Sequence, residues 1–182
     1  MSGLDDTRFE PFDIERRGVT LSVRAILPSD GEEILQAFDR MSPGARCMRF
    51  MASRNAPEIG RLRTLLAGLP ERGLAIGATI AAADGIDIVG TASFVAAGEP
   101  GTCEFAVSIV DAWAGAGLGR TLMQALIAAA RRRGLATMQG FVLADNRAML
   151  RLAERLGFTI ARAPEDYGVK VCTLRFDAEP GE

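Results

Sequence analysis

The residues richest in chemical content are Gly115, Gly117 and Gly119, two positions apart in Asp111-Ala112-Trp113-Ala114-Gly115-Ala116-Gly117-Leu118-Gly119-Arg120. An apolar run, TCEFAVSIV, precedes them, and an amphipathic run, LGRTLMQALIAAARRRG, follows. That order reads as strand, glycine-rich turn, helix. A helix N-terminus carries free backbone N–H groups and partial positive charge, so it attracts phosphate oxygens. Glycine lets the backbone approach such an anion with no side chain in the way. The expected ligand is therefore phosphorylated. The N–H groups of Gly115, Ala116, Gly117, Gly119 and Arg120 would hold it, and Arg120 could add a charge.

Proton transfer is the second chemistry to place. The chain has no histidine, which removes the commonest general base and metal ligand. Acid–base work then falls to a carboxylate, Cys103, Tyr167 or a water chain. Along 102–110 side chains should alternate. Cys103, Phe105, Val107 and Ile109 form one apolar face, expected in the core. Glu104, Ala106 and Ser108 form the other, which opens a half-apolar space around the Glu104 carboxylate near the glycine turn. Cys103 then reads as a buried small hydrophobe rather than a nucleophile. The three cysteines are too few and too scattered for a disulfide framework or a zinc site, so no metal is expected.

Length and composition bound what can carry these groups. The 182 residues fit one domain, and 48% hydrophobic with 24% charged residues matches an ordinary soluble globular protein. A net charge of −2 gives no basic surface for nucleic acid or membrane. The run Arg131-Arg132-Arg133 reads as a solvated helix end. The N-terminus is acidic and no apolar stretch is long enough to span a bilayer, so the expected location is the cytoplasm.

The positioning elements follow from the same patterns. Residues 1–17 read as an arm outside the core, 18–177 as the domain and 178–182 as a tail. A strand spans 18–27. Pro28-Ser29-Asp30 starts a helix, Ser29 and Glu32 having capping-box spacing. Ser42-Pro43 opens a second short helix through Phe50. A third covers 57–67, with Ile59, Leu62, Leu65 and Leu66 on one side. Strands at 74–83, 86–97 and 102–110 form an antiparallel meander, joined by Asp84-Gly85 and a Gly-Glu-Pro-Gly turn. Leu118, Leu122, Leu126 and Ala129 mark the buried side of the following helix. The strand at 135–143 should run parallel to 102–110, because a helix crosses between them. Asp145-Asn146 caps a helix that stops at Gly157, and strands at 158–163 and 169–176 close the chain. The order is β-ααα-βββ-α-β-α-ββ.

This order and three motifs resemble the GCN5-related N-acetyltransferase (GNAT) superfamily, over roughly residues 18–177. The strand EFAVSIV running into DAWAGAGLGR is similar to its pyrophosphate loop. Asn146 to Gly157-Phe158 is similar to its asparagine, helix, Gly-Phe element. The opening strand followed by PSD and a helix is the third. Ser42 to Phe50, with Arg46 and Arg49, resembles a segment in the acetyltransferase domains of bacterial protein lysine acetyltransferases.

The resemblance implies an α+β domain with a mixed, mostly antiparallel sheet of about seven strands and helices on both faces. It implies acetyl-CoA as co-substrate and a primary amine as acceptor, either a protein lysine or a small molecule. It implies Glu104 as general base, and Asn146 and the strand residues Val107, Ser108 and Ile109 as contacts for acetyl-CoA. A splayed or bulged strand near 107–109 could offer an N–H to the acetyl oxygen. Arg46 and Arg49 would line the acceptor cleft. Oligomeric state stays open, a homodimer being common among such proteins. Three departures stand out. Ala114 and Ala116 replace polar or basic loop residues, and Ala153 stands where many members carry a tyrosine that protonates the leaving thiolate. A Rossmann dinucleotide site fits less well, since Arg120 breaks G-x-G-x-x-G and an antiparallel meander precedes the loop.

Overall fold

The computed structural model describes residues 9–45 and 59–176. Their strands are β1 (Phe12–Arg16), β2 (Val19–Ala25), β3 (Gly73–Ala82), β4 (Gly85–Ala96), β5 (Thr102–Ile109), β6 (Thr137–Leu143), β7 (Thr159–Arg162) and β8 (Val169–Arg175). The helices are α1 (Gly31–Asp39), α2 (Ile59–Ala67), a single turn α3 (Leu69–Arg72), α4 (Leu118–Arg132) and α5 (Arg147–Arg155). All eight strands join one sheet in the order β1-β2-β3-β4-β5-β6-β8-β7. Only β5 and β6 pair in parallel, as the intervening α4 requires. Among the described residues no helix is long and apolar enough to cross a membrane.

The alternation of each strand divides the core in two. On one face Leu74, Ile76, Phe94, Cys103 and Phe105 pack with the buried stripe of α4, Leu118, Leu122 and Leu126. Each leucine buried this fully contributes about 1.5–3 kcal/mol. On the other face Ala75, Ile88 and Val110 pack with Ala37 of α1, Leu66 of α2 and Leu69 of α3. Helices therefore cover both faces.

Three expectations change, and a fourth is seen only in part. The arm expected at 1–17 contains a strand: β1 pairs antiparallel with β2 from Phe12↔Val23 to Arg16↔Val19, and Phe9 is buried in the main core. It makes eight strands instead of about seven. Its side chains are mostly exposed, as on an edge strand, so hydrophobicity alone gave little signal. Ser29 forms no cap on the turn before α1. Asp30 organises that turn, accepting the Leu27 N–H at 2.7 Å and a two-pronged contact from Arg24 at 2.8 Å. The arginine run is not wholly solvated. Arg133 donates to the Gly73 carbonyl at 2.6 Å and lies over Phe94, while Arg131 lies over Phe176. The helix expected from Ser42 is seen over 43–45, where the Ser42 hydroxyl accepts the Ala45 N–H at 3.1 Å; its remainder lies outside the described residues.

The β1–β2 connection is a two-residue turn, Arg17-Gly18, with φ of 52° and 73°. Two positive values in succession are the signature of a type I′ hairpin, which favours Asn-Gly. Among the described residues Arg17 is the only non-glycine in this left-handed region, where a side chain costs about 1–2 kcal/mol.

Candidate active site

The site begins where two neighbouring strands part. β5 pairs with β6 only at Thr102↔Thr137, Cys103↔Met138 and Glu104↔Gln139. Beyond that point β6 stays with β8 through Leu143, and β5 stays with β4 through Ile109. The strands diverge from Glu104 onward, and a cleft of about 830 Å³ opens between them.

A buried aromatic marks the start of the gap. Phe105 packs edge-on against Phe158, with centroids 5.2 Å apart, and its ring presses on the backbone of Gly140 in β6. The Gly157-Phe158 pair at the end of α5 thus supports the strand that lines the cleft.

Past the vertex, β5 offers its backbone to the gap. Val110 donates its N–H to Val89 of β4 at 3.0 Å, and the Thr102 carbonyl accepts from Ala97 at 2.9 Å. Even-numbered residues therefore point their peptide groups at β4. By the alternation of strand peptides, the N–H groups of Val107 and Ile109 point across the gap, where no β6 residue pairs with them.

The glycine turn closes one end of the cleft. A short 3-10 turn at Asp111–Trp113 leads into Ala114, and α4 begins at Leu118. Gly115 and Gly117 take φ of 74° and 76°, conformations that glycine adopts without a steric penalty. A Cβ at Gly115 would meet nothing within 4 Å, so glycine is required there by backbone shape. The turn leaves the N-terminus of the 15-residue α4 facing the cleft, and these features suit a pyrophosphate.

Val107, Ser108, Ile109, Gly115, Gly117, Gly119, Arg120 and Asn146 all border this one cleft, as does Glu104 at its vertex. Ala116 does not border it: its N–H turns inward and donates to the Trp113 carbonyl at 3.4 Å. Asn146 caps α5, its Oδ1 accepting the Met149 N–H at 3.2 Å. Arg46 and Arg49 lie outside the described residues. Tyr167 is 84% exposed on the loop before β8 and does not border the cleft. Ala153 is fully buried and offers no proton.

A second, apolar cavity of about 280 Å³ lies on the α1–α2 side of the sheet. Ile26, Phe38, Leu66 and Val95 line it, and it shares Ser108 and Met41 with the cleft. Ser108 is therefore the strand position where a group entering from the α1 side meets one lying between β5 and β6. Glu104 lies four residues before Ser108, on the same face of β5 and opposite Val95 in the sheet register.

Neither described cysteine is poised as a nucleophile. Cys103 and Cys172 are buried and free, and burial pushes both thiols up to about 11, so little thiolate exists at neutral pH. Among the described residues no cluster of His, Cys, Asp or Glu could hold a metal ion.

Residues that sequence reasoning missed sit on the far side of the glycine turn. Arg17 donates to the carbonyls of Ala112 at 2.6 Å and Ala114 at 2.8 Å, and its guanidinium lies 5.8 Å from the Trp113 ring centroid. Arg16 donates to Thr121 Oγ1, in the first turn of α4, at 3.0 Å. The only available signal was Arg17-Gly18 as a turn, and reading the segment as an arm hid it.

Comparison with known proteins agrees with the fold. Residues 47–158 match the model of the Acetyltransferase (GNAT) family. Acetyltransferase PA5475 of Pseudomonas aeruginosa is 34% identical over 144 residues, covering 79% of this chain and 77% of that protein. Acetyltransferase Pat of Mycolicibacterium smegmatis is 32% identical over 157 residues, covering 85% of this chain but 45% of that longer protein. The GNAT domain of S. lividans PAT superposes with a TM-score of 0.80 at 23% identity, covering 91% of this chain and 97% of that one. The structure of yncA from Salmonella typhimurium with its cofactor acetyl-CoA gives 0.71 at 24%, covering 88% and 96%. The last two likenesses concern the fold alone. With the family model spanning more than half its length, the chain belongs to the GNAT acetyltransferase family.

Proposed function

We propose that this chain moves an acetyl group from acetyl-CoA to a primary amine by direct attack, with Glu104 as the general base. The observation that carries the proposal is the divergence of β5 from β6 at Glu104, with the glycine turn at the far end of the same cleft. A phosphate at the α4 N-terminus and an extended arm between the strands would bring a thioester alongside Val107 and Ser108. The exposed N–H groups of Val107 and Ile109 would bond the arm and stabilise the oxyanion as charge develops.

The amine needs its proton removed. At pKa ~10.4 it is almost wholly protonated at neutral pH. The Glu104 carboxylate, directly or through one water, takes that proton and so frees the nitrogen lone pair to attack the thioester carbon, and the second N–H proton leaves to solvent as the amide forms. The C–N bond forms, the C–S bond breaks, and CoA leaves as the thiolate. Ala153 supplies no acid, so the thiolate takes its proton from solvent. The buried thiols of Cys103 and Cys172 support a route without an acyl-enzyme at either residue. The apolar cavity beside Ser108 suits the hydrocarbon arm of the amine, whether a protein lysine or a small molecule.

A screen of amines, peptides and proteins with acetyl-CoA, read as CoA release and as acceptor mass, tests the proposal. An acceptor that gains an acetyl group for each CoA released supports it. Tight acetyl-CoA binding with no release from any acceptor favours a non-catalytic, acyl-CoA-binding regulatory domain, a reading encouraged by Ala114, Ala116 and Ala153.

A further inference from the structure

The glycine turn lacks polar side chains of its own at 114 and 116. Ala116 turns its N–H inward, so fewer backbone donors face the cleft than the spacing suggests. Something must hold the remaining N–H groups in place, because a turn containing Gly115 and Gly117 has much conformational freedom to lose on binding an anion.

The structure supplies a brace from a distant part of the chain. Arg17 bonds the carbonyls of Ala112 and Ala114, the two residues that flank Trp113 ahead of Gly115. Its guanidinium also covers the Trp113 ring. A planar guanidinium holding two carbonyls fixes orientation as well as distance. Next to it, Arg16 bonds Thr121 on the first turn of α4, and Arg16 Nε would lie 3.9 Å from a Cβ placed on Gly117. The β1–β2 hairpin thus grips the turn on both sides of its glycines.

Arg17 does this from an unfavourable backbone conformation, φ 52°, at a hairpin position that asparagine or glycine fills more easily. A strained residue whose side chain spans 95 and 97 positions to reach its partners points to a use for that side chain. We infer that Arg17 is a positioning residue for the phosphates of CoA: it pre-orders the Asp111–Gly117 turn and so does from outside what the missing loop side chains would do from within. This inference rests on the proposal that the turn holds the pyrophosphate of CoA.

The test compares Arg17→Gly and Arg17→Lys with wild type. Glycine relieves the backbone strain, so the ligand-free Arg17→Gly protein should melt at or above the wild-type temperature. Its dissociation constant for CoA, measured by calorimetry, should rise about tenfold, with partial recovery in Arg17→Lys. Pantetheine, which has the arm but no phosphates, should bind wild type and variant equally in a chemical-shift titration. Hydrogen exchange in the ligand-free variant should quicken over 111–119 and nowhere else. Wild-type affinity for CoA in Arg17→Gly, or an equal loss for pantetheine, overturns the inference and leaves the acetyl-CoA reading intact. Wild-type protein that does not bind CoA overturns both.

Discussion

The ring of Phe105 in β5 occupies the space that a side chain at residue 140 of β6 would need. A Cβ on Gly140 would come within 2.5 Å of the Phe105 Cζ atom. The contact lies just past the last paired residues, Glu104 and Gln139, so the strands separate where the aromatic ring is wedged against bare backbone. Gly140→Ala should therefore destabilise the protein by about 1–3 kcal/mol, as overpacking does, and weaken acetyl-CoA binding by displacing the cleft wall. Urea unfolding with an unchanged m-value measures the first effect. Phe105→Leu added to Gly140→Ala should restore stability, and no restoration would mean that the strain lies elsewhere.

Glu104 stands at the vertex of the divergence and is exposed to the cleft. Glu104→Gln keeps its size and removes its ability to accept a proton. With an amine substrate in hand, the variant should lose about 10²–10⁴-fold in kcat, the usual worth of a general base. Its acetyl-CoA dissociation constant should hold within a factor of about two, because the base acts on the amine and not on the phosphates. Wild-type turnover across the pH range would remove Glu104 from the mechanism.

Asp30 links β2 to the turn that launches α1, and through α1 it supports the wall of the apolar cavity. Burial works against its ionised form, but the Arg24 hydrogen bond and the Leu27 N–H outweigh burial and hold its carboxyl below the ordinary 3.8. A folded pKa below the unfolded one means stability that is fully present above the unfolded value. It is lost as the pH falls through the folded value. Asp30→Asn should cost about 2 kcal/mol near neutral pH, as expected for a charged hydrogen bond, and the gap to wild type should narrow below about pH 4. Thermal melts at pH 7 and pH 3 read this directly, and a gap that widens in acid would contradict the sign.

Cys103 and Cys172 should resist thiol reagents in the folded protein and react on unfolding. Both are fully buried, and with thiols near 11 they carry little thiolate near neutral pH. The measurement belongs in a Cys47→Ser background, where only these two thiols remain. Cys103→Ala should retain acetyl transfer while losing about 1 kcal/mol of stability to the vacated volume. Abolished transfer in a folded Cys103→Ala protein would point instead to an acyl-enzyme.

Much of this site was legible because its residues report their own geometry. Glycines at 115 and 117 sit where positive φ requires them, the period-two pattern of β5 separates Glu104 and Ser108 from Cys103 and Phe105, and Asn146 caps α5 as its position suggests. Contacts between distant segments were not legible. β1 is a short edge strand with mostly exposed side chains, so neither periodicity nor hydrophobicity set it apart from an arm, and with it went Arg16 and Arg17. Ser29 has the spacing of a cap, yet Asp30 takes the role because Arg24 on β2 is within reach of its carboxylate. The inward turn of the Ala116 N–H depends on the loop's backbone path, which composition does not encode. Tyr167 was a candidate proton donor by residue type, and its place on an exposed loop removes it.

The claim on which the rest depends is that the glycine turn and the β5–β6 cleft together bind acetyl-CoA. Isothermal titration of the purified protein with acetyl-CoA and, separately, with NAD tests it most directly. Acetyl-CoA should bind saturably at one site per chain, and NAD should not bind. Binding of NAD without binding of acetyl-CoA would contradict it.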